Sequence, residues 1–245
     1  MVFEHVSGAL KAVLSSPPSK SDKTLAPAWV NVLGDAMLAQ SATDPDAGAE
    51  GVGKVWKAVW PFLESSESSV RKAAAECLGS VARCFTPTFI GLALCETGQN
   101  EANSSLNKII SQVTEGVDSL PLARSMTELL DVISSLIYSL RHRVNRTSPS
   151  ATESLLLPLI QKVGDLRTQK GFEYKEAVDE TLATAMRVVG PEVLLRVLPL
   201  NLEPSDRYDL YFFINFLAHC PTEEQEVSTP ERFFFRYCHI RTHLP

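Results

Sequence analysis

Ser68-Ser69-Val70-Arg71-Lys72-Ala73-Ala74-Ala75-Glu76-Cys77-Leu78-Gly79-Ser80-Val81-Ala82-Arg83-Cys84-Phe85 is the stretch that decides the fold. Its apolar positions are Val70, Ala74, Cys77, Leu78, Val81 and Phe85, in steps of 4, 3, 1, 3 and 4. That spacing draws one stripe down an α-helix and does not fit the alternation of a strand. Ser68 and Ser69 stand where their hydroxyls can cap the first-turn N–H groups. Just upstream, Val52, Val55, Trp56, Val59 and Leu63 repeat the helical pattern. Pro61 and Ser65-Ser66 end or kink that helix, so the two segments form a helix–turn–helix pair.

The pair recurs along the chain. Leu106, Ile109, Ile110, Val113, Val117 and Leu120 make a stripe that Pro121 breaks, and a second stripe runs from Leu122 to Leu140. A third pair spans Leu155 to Leu166 and Tyr174 to Val189, and a weaker one spans Val2 to Leu14 and Leu25 to Leu38. Second-helix starts align at Arg71, Arg124 and Lys175, which are 53 and 51 residues apart. Helix pairs at a near-constant period predict an all-α solenoid of the HEAT or armadillo kind. The period exceeds the ~40–47 residues of those units, and the excess is expected in loops such as Cys95 to Ser105 and Arg141 to Thr152.

Composition narrows the function classes. With 44% hydrophobic and 21% charged residues, the 245-residue chain lies outside the disordered class. Its 23 basic and 29 acidic residues give a net charge of −6, which disfavours a general polyanion binder. The start, Met1 to His5, has no basic leader, and the apolar run Tyr208 to Cys220 contains Asp209 and Asn215. No secretory leader and no membrane partner are therefore expected, since a spanning helix needs about 20 apolar residues. Five cysteines without scaffold density suit a reducing compartment.

Short motifs that suggest chemistry each lack a part. Gly48-Ala49-Glu50-Gly51-Val52-Gly53-Lys54 has the spacing of a phosphate-binding loop. Val55 stands where that loop needs a hydroxyl for Mg²⁺, and no strand leads in, so a flexible loop before a helix start is expected. His219, Cys220, Cys238, His239 and His243 offer zinc donors without a Cys-x₂₋₄-Cys pair, so no metal site is expected. Cys77 and Cys84 are expected to be small core residues. No histidine is anchored to a nucleophile motif, so no enzyme activity and no cofactor are expected. Arg141, His142, Arg143 and Arg146 form the densest basic cluster, at a predicted helix end. Such a cluster can grip RNA phosphates or an acidic partner, or it can simply complement the negative end of the helix dipole. Of these, Arg141, Arg143 and Arg146 are the candidate contact residues.

A further motif is Val188-Val189-Gly190-Pro191-Glu192-Val193-Leu194-Leu195-Arg196-Val197-Leu198-Pro199-Leu200-Asn201-Leu202. A helix end that runs into Gly-Pro-Glu-x-Leu-Leu and closes on Leu-Pro-Leu-Asn-Leu resembles the ribosomal RNA processing protein twelve family. Those are nucleolar HEAT-repeat proteins of ribosome assembly. The Leu155 to Ile160 helix and the Phe172 to Val189 helix precede the motif in the order that this resemblance implies. The resemblance covers about residues 1–207 and rests chiefly on 188–207. It implies a non-catalytic scaffold in the nucleus and nucleolus that binds pre-ribosomal particles, supports ribosomal RNA processing and assists subunit export. The implied partners are those particles or other proteins, and ribosomal RNA, with no small-molecule substrate. From the residues alone, a HEAT-like adaptor in transport or signalling, without an RNA role, stays open.

The composition shifts at Tyr208. Six of the 11 Phe residues fall in 208–245, in two clusters around an acidic stretch from Pro221 to Pro230. Two parts are therefore expected, a HEAT-like repeat domain over 1–207 and a poorly integrated Phe-rich tail over 208–245. Limited proteolysis is expected to cut first within 221–232 and to leave a helical core of residues 1–207 with similar melting behaviour. If that cut collapses the whole fold, the tail is integral to it.

Overall fold

Proline and small polar side chains set most helix starts. Asp44 accepts from the N–H of Ala47 at 3.0 Å, and Pro45 supplies the first helical residue behind it. Thr86 does the same for Phe89 at 3.2 Å ahead of Pro87, Ser104 for Asn107 at 3.3 Å, and Ser150 for Glu153 at 3.1 Å. Each bond satisfies a first-turn donor that the helix cannot satisfy itself.

The computed structural model describes Gly8 and residues 10–96, 104–143 and 148–198. Residues 10–14 are helical, and the helices that follow are α1 (Leu25–Thr43), α2 (Pro45–Val59), α3 (Ser68–Ala82), α4 (Pro87–Cys95), α5 (Ser105–Gly116), α6 (Met126–Ser139), α7 (Ala151–Leu155), α8 (Leu157–Thr168), α9 (Lys175–Val189) and α10 (Pro191–Val197). Two 3₁₀ turns, Trp60–Glu64 and Leu120–Ser125, lie before α3 and α6. No strand occurs among the described residues, where extended pairing amounts to one bridge between Arg143 and Ser150. The fold is the all-α helical repeat expected from the sequence. By contact, the chain divides into Met1–Leu194 and Leu195–Pro245. Only 195–198 of the second unit are described, and the stacked helices belong to the first.

The repeat is visible in the packing. Helices α1, α3, α6 and α9 stack side by side, α1 on α3, α3 on α6 and α6 on α9. Gly34 and Met37 of α1 meet Cys77 of α3 and Cys84 just beyond it, Arg71 and Gly79 of α3 meet Glu128 and Ser135 of α6, and the chain turns back at 140–152 and again at 169–174 before α9, so all four run in the same direction. Helices α2, α5 and α8 lie behind them and pack on α3, α6 and α9, with the short α4 and α7 wedged between α5 and α8. The core lies between the layers. Trp56, Leu63, Leu78, Leu106, Leu129, Leu130, Ile133 and Leu136 have at most 1% of their surface exposed. Burying each such side chain contributes about 1.5–3 kcal/mol.

Several local expectations are corrected. The stacked helices start 43, 58 and 49 residues apart, at Leu25, Ser68, Met126 and Lys175. The long interval is not loop, because it holds α4, whose Thr-Pro start is a cap followed by a first-turn proline. Ser68 and Ser69 do not cap α3 but are its first residues; Glu67 occupies the cap position and makes no capping bond. Leu122 belongs to a 3₁₀ turn, and Pro158 splits the expected third-pair helix into α7 and α8. The stripes that begin at Val70, Leu122 and Tyr174 face inward as expected; the last does so through Val178, Leu182, Ala185, Met186 and Val189, while Tyr174 itself is half-buried.

The Gly48–Lys54 segment is neither a phosphate loop nor a flexible one. It lies wholly inside α2. A helix interior bonds its own N–H groups to carbonyls and has none to wrap a phosphate. Its glycines serve packing instead. A Cβ at Gly48 would fall 2.8 Å from Ser41 Cα and 2.9 Å from Ser41 Cβ, so α1 and α2 meet there in near backbone contact.

Gly48→Ala is therefore expected to destabilise by about 1–3 kcal/mol through overpacking, against the ~1 kcal/mol that alanine otherwise gains in a helix. Gly91→Ala, in α4, meets nothing within 4 Å and should be neutral or stabilising. Urea unfolding of both variants compares them directly, and equal effects would refute the close-contact explanation.

Candidate interaction surface

Each stacked helix turns a row of exposed residues away from its neighbours. Its register is fixed by close contacts between neighbours. Gly34 in α1 meets Cys77 in α3 at 3.4–3.6 Å, measured from an ideal Cβ, and Gly79 in α3 meets Ser135 in α6 from 2.8 Å. The Ser134 hydroxyl lies 3.1 Å from that of Thr181 in α9, and Thr181 Oγ1 donates to the carbonyl of Leu130 at 3.3 Å.

This register lines up charge. Asp35, Glu76, Asp131 and Glu180 are exposed, one on each stacked helix, near mid-length. The carboxyl of Asp131 is held above its ordinary value of 3.8, first because partial burial strips some of its hydration. Glu128, Glu180 and Glu76 add repulsion, and Lys72 opposes them. Asp131 therefore feels carboxylates from α3 and α9 as well as from its own helix.

Beneath this row an ion pair joins two repeats. Arg71 Nε donates to Glu128 Oε1 at 3.2 Å, with side chains 13% and 8% exposed, and Arg71 also donates to the carbonyls of Ser65 and Ser66. Other pairs tie Lys20 to Glu64, Lys23 to Glu67, Lys162 to Asp118 and Arg167 to Asp179. The turns inside the pairs bond as well: the Ser65 hydroxyl donates to the Lys20 carbonyl at 2.6 Å, and that of Ser125 donates to the Leu63 carbonyl.

The sequence-derived basic cluster sits at the C-terminal end of α6. Arg141 Nη1 donates to the Tyr138 carbonyl at 3.0 Å, and its guanidinium lies 4.0 Å from the centre of the Tyr138 ring. Arg141 thus complements the helix end, yet it remains exposed beside a ring that is itself 54% exposed. Arg143 is exposed and bridges Ser150. The stem of the loop is fastened by Ala151 N–H to the His142 carbonyl and Thr152 N–H to the Leu140 carbonyl, both at 2.9 Å. Arg146 lies outside the described residues, as do the five His and Cys zinc candidates and the Phe-rich tail. Among the described residues no cluster of three or more His, Cys, Asp or Glu could hold a metal.

The two core cysteines are as expected. Burial, reinforced by the charge of Asp35, pushes the Cys77 thiol up to about 12, and burial likewise raises Cys84. Neither offers a thiolate for chemistry. No single helix among the described residues is long and apolar enough to cross a membrane.

The stack has a known relationship. Residues 64–222 match the family described as Ribosomal RNA-processing protein 12, HEAT repeats, which takes in α3 to α10. The chain belongs to this family. It is 28% identical over 190 residues to the ribosomal RNA-processing protein 12 relative of Schizosaccharomyces pombe. It is 24% identical over 200 residues to the RRP12-like protein of Homo sapiens, and 22% over 197 residues to Ribosomal RNA-processing protein 12 of Saccharomyces cerevisiae. These alignments take in 78–80% of the chain and 15–16% of the relatives, so the chain spans about one sixth of their length. The Gly190-Pro191 junction that carries the resemblance to the ribosomal RNA-processing protein 12 family is a sharp helix break. Gly190 closes α9 at φ +88°, a conformation that needs glycine, and Pro191 opens α10.

The acidic row has a pH signature. The folded chain holds the Asp131 proton more tightly than the unfolded chain does, so ionising it opposes folding. That opposition is absent below 3.8, grows as pH rises through the raised folded value, and is complete at neutral pH. Asp131→Asn is expected to raise the melting temperature at about pH 7 and to leave it unchanged near pH 3, where both side chains are neutral. Scanning fluorimetry at the two pH values tests this; the same gain at both would assign the effect to packing.

Proposed function

We propose that this chain is a non-catalytic scaffold segment of the ribosome-biogenesis machinery. In this reading it docks on pre-ribosomal particles, supports ribosomal RNA processing and subunit export, and works in the nucleus and nucleolus. The observation that carries the proposal is the family match over 64–222, which takes in the stacked helices α3, α6 and α9, each with an exposed acid near mid-length. The names of the relatives speak of ribosomal RNA processing. HEAT-type stacks use such extended faces for binding partners. The loop bearing Arg141, Arg143 and Arg146 is the proposed contact point with the particle, and the scaffold unit is taken to run to about residue 207. Nothing in the reading requires a cofactor or a small-molecule substrate.

The test is sedimentation. A tagged copy of the chain, expressed in a eukaryotic cell, is expected to migrate in a sucrose gradient with fractions containing precursor ribosomal RNA. A well-folded chain that stays wholly in the light fractions would instead favour an adaptor in transport or signalling.

A further inference from the structure

We propose that the C-terminal edge of the stacked face is a binding edge for single-stranded RNA, built from Arg83, Tyr138 with Arg141, and Arg187. The proposal deepens the scaffold reading by naming the partner of this surface, and it rests on that reading for its biological setting.

The first observation is a repeat within the repeat. On each of three neighbouring helices, the exposed residue seven positions beyond the row acid carries or supports a positive charge. Glu76 is followed by Arg83, Glu180 by Arg187, and Asp131 by Tyr138. Seven residues are close to two helical turns, so each pair shares a helix face about 10 Å apart. Tyr138 breaks the arginine series in name only, because the Arg141 guanidinium lies over its ring at 4.0 Å. The Gly79–Ser135 and Ser134–Thr181 contacts hold the three helices in step, which brings the three cations to the same end.

The second observation is that these cations are unspent. Lys20, Lys23, Arg71, Lys162 and Arg167 are all paired with carboxylates. Arg83 instead donates to the Ser80 hydroxyl of its own helix, at 2.8 Å, and Arg141 to its own helix carbonyl. Among the described residues Arg187 is exposed and faces no carboxylate within ion-pair distance. In a chain of net charge −6, three arginines in none of these ion pairs meet at this one edge.

The third observation selects the ligand. A purely acidic peptide would use the arginines and ignore the ring. An exposed aromatic set among arginines offers a base a stacking surface and its flanking phosphates their counter-charges. The acidic row, more than a Debye length of about 8 Å away at physiological salt, repels a strand from mid-face and confines it to the edge.

The experiment measures fluorescence anisotropy of a labelled 15-nucleotide single-stranded RNA titrated with the full chain across a salt series. Three phosphate contacts predict a slope of log K against log salt of about −2. The triple variant Arg83→Gln, Arg141→Gln, Arg187→Gln is expected to weaken binding by about tenfold or more and to flatten the slope. Tyr138→Ser should weaken binding severalfold with the slope retained, because it removes stacking and no charge. Lys57→Gln with Lys108→Gln, exposed cations of the rear layer, should change neither. Circular dichroism checks that each variant is folded, and Arg187→Gln alone serves if the triple variant is not. The site is overturned if the arginine variants bind RNA as the parent does, if the parent binds none at low salt, or if polyglutamate displaces RNA as effectively as unlabelled RNA. Running parent and triple variant through the sucrose gradient separates the two proposals. Co-sedimentation of both, with unaltered RNA affinity, sinks this edge and leaves the scaffold; a parent that binds RNA through the edge and yet never enters the particles sinks the scaffold and leaves the edge.

Discussion

Helix α3 has to lie close to two neighbours at once, and the rest of the surface depends on how it does so. Its sequence is small where it meets them: Ala73, Ala74, Ala75, Cys77, Gly79 and Ala82 are all buried. Cys77 sits against Gly34 on one side, and Gly79 sits against Ser135 on the other. Larger side chains would hold the helices apart and let them slide, since a flat contact between large apolar groups has many near-equivalent registers. Close backbone approach has few, because each glycine fits only opposite a particular partner. Register across the first three stacked helices is thus a packing property, and the alignment of charge on the exposed face is its consequence.

Polar bonds fasten what packing positions. The Arg71–Glu128 pair is nearly buried, and a buried pair is weak evidence for net stability because desolvation offsets much of the attraction. Its geometry matters more than its strength. Arg71 reaches the carbonyls of the preceding turn and a carboxylate of the next repeat together, so a slip of either helix would strand a charge. The hydroxyls of Ser65 and Ser125 act likewise on the carbonyls of neighbouring turns. Each repeat is joined to the next through backbone oxygens, which every sequence supplies, by side chains that need only be short and polar.

The helical stripes are legible in the sequence because burial of one face imposes a 3.6-residue period, and Val70 to Phe85 displays it with little interruption. Pairing and all-α class come from that period, and the Gly190-Pro191 junction carries the family resemblance. The features that escape a sequence reading are governed by contacts rather than by period. Gly48 to Lys54 looks like a loop because glycines are counted as breakers, yet here they admit a neighbouring helix. Helix α4 is hidden because nine residues are too few for a clear stripe, although Thr86-Pro87 announces its start. Of the candidate surface, Arg141 and Arg143 are visible as a local cluster. Arg83 and Arg187 are not, since each is an isolated cation in sequence and only the register of three helices brings them to one edge.

The electrostatics of this face resolve an apparent conflict in the composition. A net charge of −6 argues against binding a polyanion if charge is spread evenly. In a solenoid it is not, because each repeat contributes the same helix positions to the same strip of surface. An acid at one position and, two turns later, an arginine on α3 and α9 or the arginine-capped Tyr138 on α6 give a negative strip and a positive edge on one face. In the proposed complex a strand senses the strip within about a Debye length of it, and the charge of the whole chain is screened. The helix ends add to this division. The C-terminal dipole is negative and would repel phosphates if left bare; arginines at that end first compensate it and then exceed it. The same residues therefore satisfy the helix and face outward, so the proposed binding role of Arg141 adds to its structural one rather than competing with it. The excess of charge over what the helix end needs is what a partner can use.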